Sequence, residues 1–179
     1  QAMYSDYYWP QLSEALNKAQ LGDGKGILQL YDDYYQRKED GTYGNELEAF
    51  LAISCLDDPG ATSTKEVDSH IEEFIAAAPR LGGNFAYGYS CALWPVKQAA
   101  KVTITGKGAG PIVVVGTTGD PATPLDSTRK MALGLEQGIL IVVDANQHTG
   151  YGANNCVVKA VDDYLIKLIV PANETTCKG

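Results

Sequence analysis

An acid and a histidine that could share a proton-transfer task follow two short apolar runs of this chain. Asp120 comes after residues 111–115, Pro-Ile-Val-Val-Val, and His148 comes after residues 139–143, Ile-Leu-Ile-Val-Val. Each run has the length and apolar content of a buried strand. Sheets of parallel strands place functional groups just past the carboxyl ends of their strands. We therefore predict that Asp120 and His148 are the acid and the base of a Ser/His/Asp catalytic group.

The local sequence supports this interpretation more strongly for the pair than for either residue alone. Asp120 stands between a glycine and a proline, a pattern that also suits an aspartate that only caps a turn. His148 lies in a loop with Gly150 and Gly152 rather than on an apolar helix face, where structural histidines are usual. The 28 residues that separate the pair accommodate one strand–helix–strand crossover. We expect the two side chains to meet at about 2.6–3.2 Å.

The expected nucleophile is missing from this pattern. In α/β-hydrolases the chain order is nucleophile, acid, histidine, so a serine should precede Asp120. Ser90 lies in Gly88-Tyr-Ser-Cys-Ala92, but the fifth position is alanine, no apolar strand precedes it, and only 30 residues separate it from Asp120. The chain therefore has the features of the back half of an enzyme, and Ser90 is not predicted to be its nucleophile.

Composition and charge exclude several classes of partner. The 179 residues suffice for one domain or for a fragment of a larger one. A net charge of −8 would repel nucleic acid and an anionic membrane surface. No apolar run reaches the roughly 18 residues that span a bilayer. We therefore expect neither a nucleic-acid partner nor a membrane span.

Four cysteines, Cys55, Cys91, Cys156 and Cys177, indicate disulfides. None forms a Cys-x-x-Cys pair and only two histidines exist, so we expect no zinc site and no metal. The alternative is four free thiols in a cytosolic protein. An even number of well-separated cysteines favours an oxidising compartment. Of the three pairings, Cys55–Cys91 with Cys156–Cys177 keeps each bridge within one region, and we predict that pairing.

Residues 1–98 carry helical patterns. Trp9-Pro10 places a proline in the first turn of a helix, a second apolar stripe follows, and Ser63 begins a capping-box pattern. Residues 45–56 are apolar on several sides, and we predict a short helix that runs into an extended segment at Cys55. Nine of the eleven tyrosines lie in the first half of the chain. We interpret most of them as helix-packing residues, while some could line a pocket.

From about residue 102 the pattern changes to strands that alternate with helices. Thr123 is predicted to be an N-cap, with Pro124 at the first helical position. The predicted elements are strand 111–115, helix 124–136, strand 139–143 and a last helix with a stripe from Val157 to Leu168. This alternation predicts an α/β fold with a parallel sheet covered on both faces. Because two strands make a poor sheet, the same pattern also predicts that sequence upstream of this chain is missing.

Several strings resemble one known family. They are residues 114–124, Val-Val-Gly-Thr-Thr-Gly-Asp-Pro-Ala-Thr-Pro; residues 148–152, His-Thr-Gly-Tyr-Gly; residues 154–156, Asn-Asn-Cys; and residues 170–177, Val-Pro-Ala-Asn-Glu-Thr-Thr-Cys. Residues 45–59 and 90–95 also resemble that family. Together they resemble the C-terminal region of secreted tripeptidyl-aminopeptidase-like (TAP-like) α/β-hydrolases of actinobacteria, which are serine peptidases.

The resemblance implies an organisation and a function. Residues 1–98 would form a helical cap with a return to the core, and residues 99–179 the C-terminal α/β-hydrolase segment. Asp120 and His148 match the acid and base of the family's triad, whereas the Gly-x-Ser-x-Gly serine and the oxyanion-hole loop have no counterpart. The whole enzyme would cleave short peptides near the N-terminus, or esters, outside the cytoplasm and without a cofactor.

The resemblance also implies partners and substrate-binding residues for the chain itself. Its partners would be a peptide substrate and the missing N-terminal half of the hydrolase, so the chain alone is predicted to be inactive. Glu46 and Asp57 are candidates for holding the substrate's ammonium, because they lie near the presumed junction of cap and core. The alternatives are a non-catalytic binding module on a hydrolase scaffold and a small esterase that uses Ser90.

Overall fold

The structure, a computed structural model, describes residues 2–57, 60–86, 88–98 and 100–178. By its contacts the chain forms two compact units, one of Gln1–Tyr34 with Thr103–Gly179 and one of Tyr35–Val102. Asp120 and His148 both belong to the first unit. The predicted division into residues 1–98 and 99–179 concerns the cap and core of a whole hydrolase, and it stays a prediction.

The elements follow one another as helices, strand, helix, strand, helix and strand. A short 3-10 turn, Asp6–Tyr8, precedes the first α-helix. The helices are α1 (Trp9–Gln20), α2 (Lys25–Tyr34), α3 (Glu46–Asp57), α4 (Thr64–Ala77), α5 (Gly82–Ala86), α6 (Tyr89–Ala92), α7 (Leu125–Gly134) and α8 (Asn155–Lys167). The strands are β1 (Ile112–Thr117), β2 (Gly138–Asp144) and β3 (Thr175–Lys178). Within the described ranges, every helix is too short or too polar to span a bilayer.

The first unit contains a parallel sheet in the order β1-β2-β3. Strand β1 pairs with β2 in parallel, with Val113 opposite Ile139, and β2 pairs in parallel with β3, with Val143 opposite Cys177. The predicted parallel sheet and its first two strands are confirmed. Strand β3 was not predicted, because Thr-Thr-Cys-Lys carries no apolar run and only its pairing with β2 makes it a strand.

Helices cover this sheet on both faces, as predicted. On one face Val114, Leu140 and Val142 pack with Ala132 of α7. On the other face Ile141, Val143 and Cys177 pack with Val157 of α8. Alternate residues of β2 therefore enter two different cores, which is why its sequence is apolar without interruption.

Helix α7 begins later than the sequence predicted. Pro124 is its N-cap, no side chain caps it, and the helix ends at Gly134 rather than near residue 136. The predicted N-cap, Thr123, uses its hydroxyl instead to donate a hydrogen bond to Asp120 at 2.8 Å. The prediction was wrong because the carboxylate competes with the helix for this side chain.

The second unit is helical in the described residues. Ser63 caps α4 by accepting a hydrogen bond from the Glu66 N–H at 3.2 Å, as the capping pattern predicted. The predicted extended segment at Cys55 is wrong, because α3 continues to Asp57. No helix-breaking residue occurs before Pro59 in the sequence, so the helix can carry Cys55.

Both predicted disulfides are confirmed. Cys55 is bonded to Cys91 with their Cα atoms 4.9 Å apart, and Cys156 is bonded to Cys177 with a Cα separation of 5.5 Å. The first bridge joins α3 to α6 in the second unit. The second joins the first turn of α8 to β3, so it fastens the two elements that follow the His148 loop.

Candidate active site

The carboxyl ends of β1 and β2 bring the predicted acid and base together. These strands are parallel neighbours, so the loops that leave Thr117 and Asp144 open at the same edge of the sheet. His148 Nδ1 lies 3.0 Å from Asp120 Oδ2 and 3.1 Å from Oδ1. The predicted contact is confirmed within the expected range.

Two glycines allow the loops to approach each other and the sheet. A Cβ atom on Gly119 would lie 2.5 Å from Asn146 Oδ1 and 3.1 Å from the Ala145 carbonyl oxygen. A Cβ atom on Gly150 would lie 2.7 Å from Val115 Cγ1. Any side chain at these positions would push the acid-bearing and histidine-bearing loops apart, or lift the second loop off the sheet.

The Asp120 carboxylate is almost fully enclosed and fully hydrogen-bonded. Only 2% of its side chain is exposed. Oδ1 accepts the backbone N–H groups of Ala122 and Thr123, each at 2.8 Å. Oδ2 accepts the Thr123 hydroxyl at 2.8 Å and the Thr149 N–H at 3.2 Å.

These donors decide the charge of Asp120. Burial by itself raises the pKa of the carboxyl, but the hydrogen bonds from Thr123, Ala122 and Thr149 outweigh burial and hold that pKa well below its usual range. Asp120 is therefore ionised at neutral pH. A carboxylate that can only accept hydrogen bonds assigns the proton of His148 to Nδ1.

His148 is oriented by this contact and still reaches solvent. Its side chain is 27% exposed, against 2% for Asp120. With Nδ1 as donor to Asp120, Nε2 has the free lone pair that a general base needs. The Thr123 hydroxyl lies 3.4 Å from Nδ1, so one side chain contacts both members of the pair. Chemically, the arrangement can accept a proton at Nε2 while the carboxylate stabilises the resulting imidazolium.

The beginning of the chain also contacts the His148 loop. The Tyr4 carbonyl accepts the His148 N–H at 2.7 Å, and the two rings lie with centroids 4.6 Å apart. Ser5 forms an antiparallel bridge with Gln147. The sequence carries no signal for this contact, since Tyr4 is one of many early tyrosines and lies far from His148 along the chain.

The other predicted residues are positioned differently. Ser90 lies exposed in the short helix α6. Among the described residues, the element that precedes this helix is helix α5 and not the strand that precedes a nucleophile elbow. Glu46 and Asp57 are both exposed and stand at the two ends of α3. At a rise of 1.5 Å per residue they are about 16 Å apart along the helix axis, so the structure does not bring them together.

No group of three His, Cys, Asp or Glu side chains in the described part of the chain is arranged to hold a metal ion.

Comparison with known families gives a match that contains this site. The α/β-hydrolase family model described as TAP-like protein matches residues 78–177. The matched segment includes Asp120 and His148, strands β1 and β2, strand β3 as far as Cys177, and helices α7 and α8.

Individual relatives extend the similarity over nearly the whole chain. Carboxylesterase B of Mycobacterium tuberculosis is 36% identical, and the serine protease Hip1 of the same organism is 32% identical. Each alignment is 183 residues long with its gaps and covers 98% of this chain and 35% of the relative. The tripeptidyl aminopeptidase of Streptomyces lividans is 26% identical over an alignment that is 181 residues long with its gaps and covers 98% of this chain and 34% of that protein. The chain thus spans about a third of the length of these curated relatives.

Proposed function

Because the chain belongs to the TAP-like family of α/β-hydrolases, we propose that it is the C-terminal portion of an exported serine hydrolase that releases short peptides from peptide N-termini. The observation that carries the proposal is the Asp120–His148 contact of 3.0 Å at the carboxyl edge of adjacent parallel strands. Two relatives whose names describe a serine protease and a tripeptidyl aminopeptidase support peptides as the substrate class.

In the proposed mechanism this chain supplies the acid and the base. A serine from the remaining part of the protein attacks the scissile carbonyl while His148 Nε2 takes its proton. The imidazolium, stabilised by Asp120, then gives that proton to the leaving amine, and an acyl-serine remains. Water attacks the acyl group with His148 again as the base, which frees the short peptide and restores the serine.

The nucleophile and the oxyanion hole belong, in this proposal, to the missing N-terminal half. The chain covers about a third of its relatives, and the helical setting of Ser90 does not suit a nucleophile. Residues 1–98 act as the cap with its return to the core, and residues 99–179 as the catalytic segment. The mechanism needs no cofactor.

The proposal includes an acidic residue that binds the substrate's ammonium and a location outside the cytoplasm. An aminopeptidase needs an acid for the substrate's ammonium, and Glu46 and Asp57 remain the candidates. Since they stand at opposite ends of α3, one ammonium group can contact only one of them. Two disulfides support a location outside the cytoplasm, secreted or in the cell envelope.

The test compares variants of the full-length protein that contains this chain. We expect Asp120→Asn to lower kcat by about 10⁴-fold, because the amide cannot hold His148 in the required tautomer. His148→Ala should lower kcat at least as far. The substrates are a tripeptide with a fluorogenic leaving group, the same peptide with a blocked N-terminus, and a simple aryl ester.

The exposed His70, paired with Glu73 on α4, provides the matched control. His70→Ala should leave all rates unchanged. Full activity of the Asp120 and His148 variants would refute the catalytic role, and equal cleavage of the blocked and free tripeptides would refute the aminopeptidase.

A further inference from the structure

We propose that Tyr4 is a positioning residue for His148, and that it holds the imidazole in place against Asp120. The inference rests on the proposed function of His148 as the general base. Tyr4 touches neither substrate nor nucleophile in this proposal, and it acts only through the histidine.

Tyr4 restrains His148 through two separate contacts. Its carbonyl oxygen accepts the His148 backbone N–H at 2.7 Å, which fixes the main chain of the loop. Its ring lies 4.6 Å from the imidazole, centroid to centroid, with the planes tilted by 43°. This distance and tilt fall within the range of attractive aromatic pairs, so the side chain is restrained as well.

Neighbouring residues extend the main-chain contact along the loop. Ser5 pairs with Gln147 in an antiparallel bridge. The Asp6 N–H donates to the Asn146 carbonyl at 3.3 Å. Residues 4–6 therefore run beside residues 146–148 as a short antiparallel ladder, and Tyr4 faces the histidine itself.

The Tyr4 side chain has its own anchor in the same unit. Its hydroxyl is hydrogen-bonded to Tyr34, the last residue of α2, and this bond, with burial and the charge of Asp120, raises the pKa of the Tyr4 phenol. The phenol therefore stays neutral near Asp120. Through Tyr4, the orientation of the imidazole is connected to helix α2.

The need for such a restraint follows from the geometry of the histidine loop. Asp120 holds only the Nδ1 edge of the ring, and a single hydrogen-bonded edge does not fix the plane of the imidazole. Thr149, the next residue, has a φ of 69°, a conformation that β-branched residues rarely adopt. Contacts outside the loop are required to hold this backbone in place, and Tyr4 provides one of them.

The test uses the full-length protein with Tyr4→Leu, Tyr4→Phe and, as a matched control, Tyr7→Leu. Tyr7 lies in the adjoining 3-10 turn and is 80% exposed. Tyr4→Leu removes the ring contact, so kcat should fall about 10- to 100-fold with KM unchanged. Tyr4→Phe keeps the aromatic ring and the backbone carbonyl, so this variant should retain most of the wild-type kcat. Tyr7→Leu should have the kcat of the wild type.

A spectroscopic measurement separates positioning from general stability. The nitrogen NMR spectrum of the His148 imidazole should show one Nδ1-protonated form in the wild type and in Tyr4→Phe. In Tyr4→Leu it should show a mixture of tautomers, because the unrestrained ring can turn away from Asp120. If Tyr4→Leu does not fold, cross-relaxation between the Tyr4 and His148 ring protons in the wild type tests the same contact, and its absence overturns the proposal.

The outcomes also distinguish this inference from the proposed function. Unchanged kcat and an unchanged imidazole spectrum in folded Tyr4→Leu would overturn the role of Tyr4, even where His148→Ala abolishes activity. Full activity of His148→Ala would instead refute the proposed function.

Discussion

Asp120 remains ionised at an enclosed position because every face of its carboxylate meets a hydrogen-bond donor. Ala122, Thr123 and Thr149 supply these donors from the two loops that meet at the sheet edge. The same bonds place the carboxylate against His148 Nδ1. One set of contacts thus fixes both the charge of the acid and the tautomer of the base.

The lowered pKa of Asp120 makes the stability of this chain depend on acid pH. Because the folded-state pKa lies below the unfolded value of about 3.9, the charged carboxylate stabilises the fold at neutral pH. That stabilisation is lost as the pH falls below about 4 and through the folded-state pKa. We expect Asp120→Asn to lower the free energy of unfolding at pH 7 by about 2 kcal/mol and by much less at pH 2.

Urea unfolding at several pH values measures this difference. Asp126→Asn is the control, since Asp126 is an exposed acid in the first turn of α7, and its effect should be small at every pH. If the difference in free energy of unfolding between the wild type and Asp120→Asn stays constant from pH 7 to pH 2, that result would contradict the assignment of a stabilising charge to Asp120.

At the scale of single residues, the sequence predicted the pair but not its supports. Asp120 and His148 could be found because each follows an apolar run, and their distance follows from one crossover. The sequence predicts Thr123 to be a helix cap, since a threonine before proline suits that role, and nothing in the sequence shows that its hydroxyl donates to Asp120 instead. Tyr4 could not be found at all, because its contact with His148 is made only when distant parts of the chain fold together.

Elements with their own periodicity were predicted well, and elements defined by their partners were not. Strands β1 and β2 are continuous apolar runs, and α8 has a one-sided stripe. Strand β3 has neither, and its pairing with β2 and the burial of Cys177 make it part of the sheet. Helix α3 is apolar on several sides, so its pattern did not distinguish a helix from an extended segment at Cys55.

The Cys156–Cys177 bridge ties the two elements that follow the histidine loop, α8 and β3. It closes a loop of 21 residues, and the chain-entropy relation gives about 3 kcal/mol for such a closure. We expect the double variant Cys156→Ala/Cys177→Ala to lose about that much free energy of unfolding, with a lower Tm, under non-reducing conditions.

Thermal unfolding followed by circular dichroism measures the change. The comparison is Cys55→Ala/Cys91→Ala, which removes the other bridge, of 36-residue separation, from the second unit. That variant should leave the imidazole spectrum of His148 unchanged, because Cys55 and Cys91 belong to a different compact unit. A Cys156/Cys177 variant as stable as the wild type would show that packing alone holds β3.

For the molecule as a whole, the described sheet ends at β1 on one side and at β3 on the other. An edge strand presents unpaired backbone groups, and three strands are near the lower limit for a stable sheet. Large apolar side chains are also exposed, among them Leu133, Leu165 and Ile166. These features support the proposal that the chain completes its sheet and core with the remaining part of a longer hydrolase.

The Asp120–His148 pair is only part of a catalytic group. An Asp–His pair has no attacking atom of its own, and without an oxyanion hole it cannot stabilise a tetrahedral intermediate. We therefore expect the purified chain to hydrolyse neither the fluorogenic tripeptide nor the aryl ester above background. Co-expression with the upstream portion of the same protein should produce activity that Asp120→Asn removes and Ser90→Ala leaves intact. Turnover by the isolated chain that disappears in Ser90→Ala would instead identify a small esterase, and a co-expressed complex that binds peptide without cleaving it would identify a binding module.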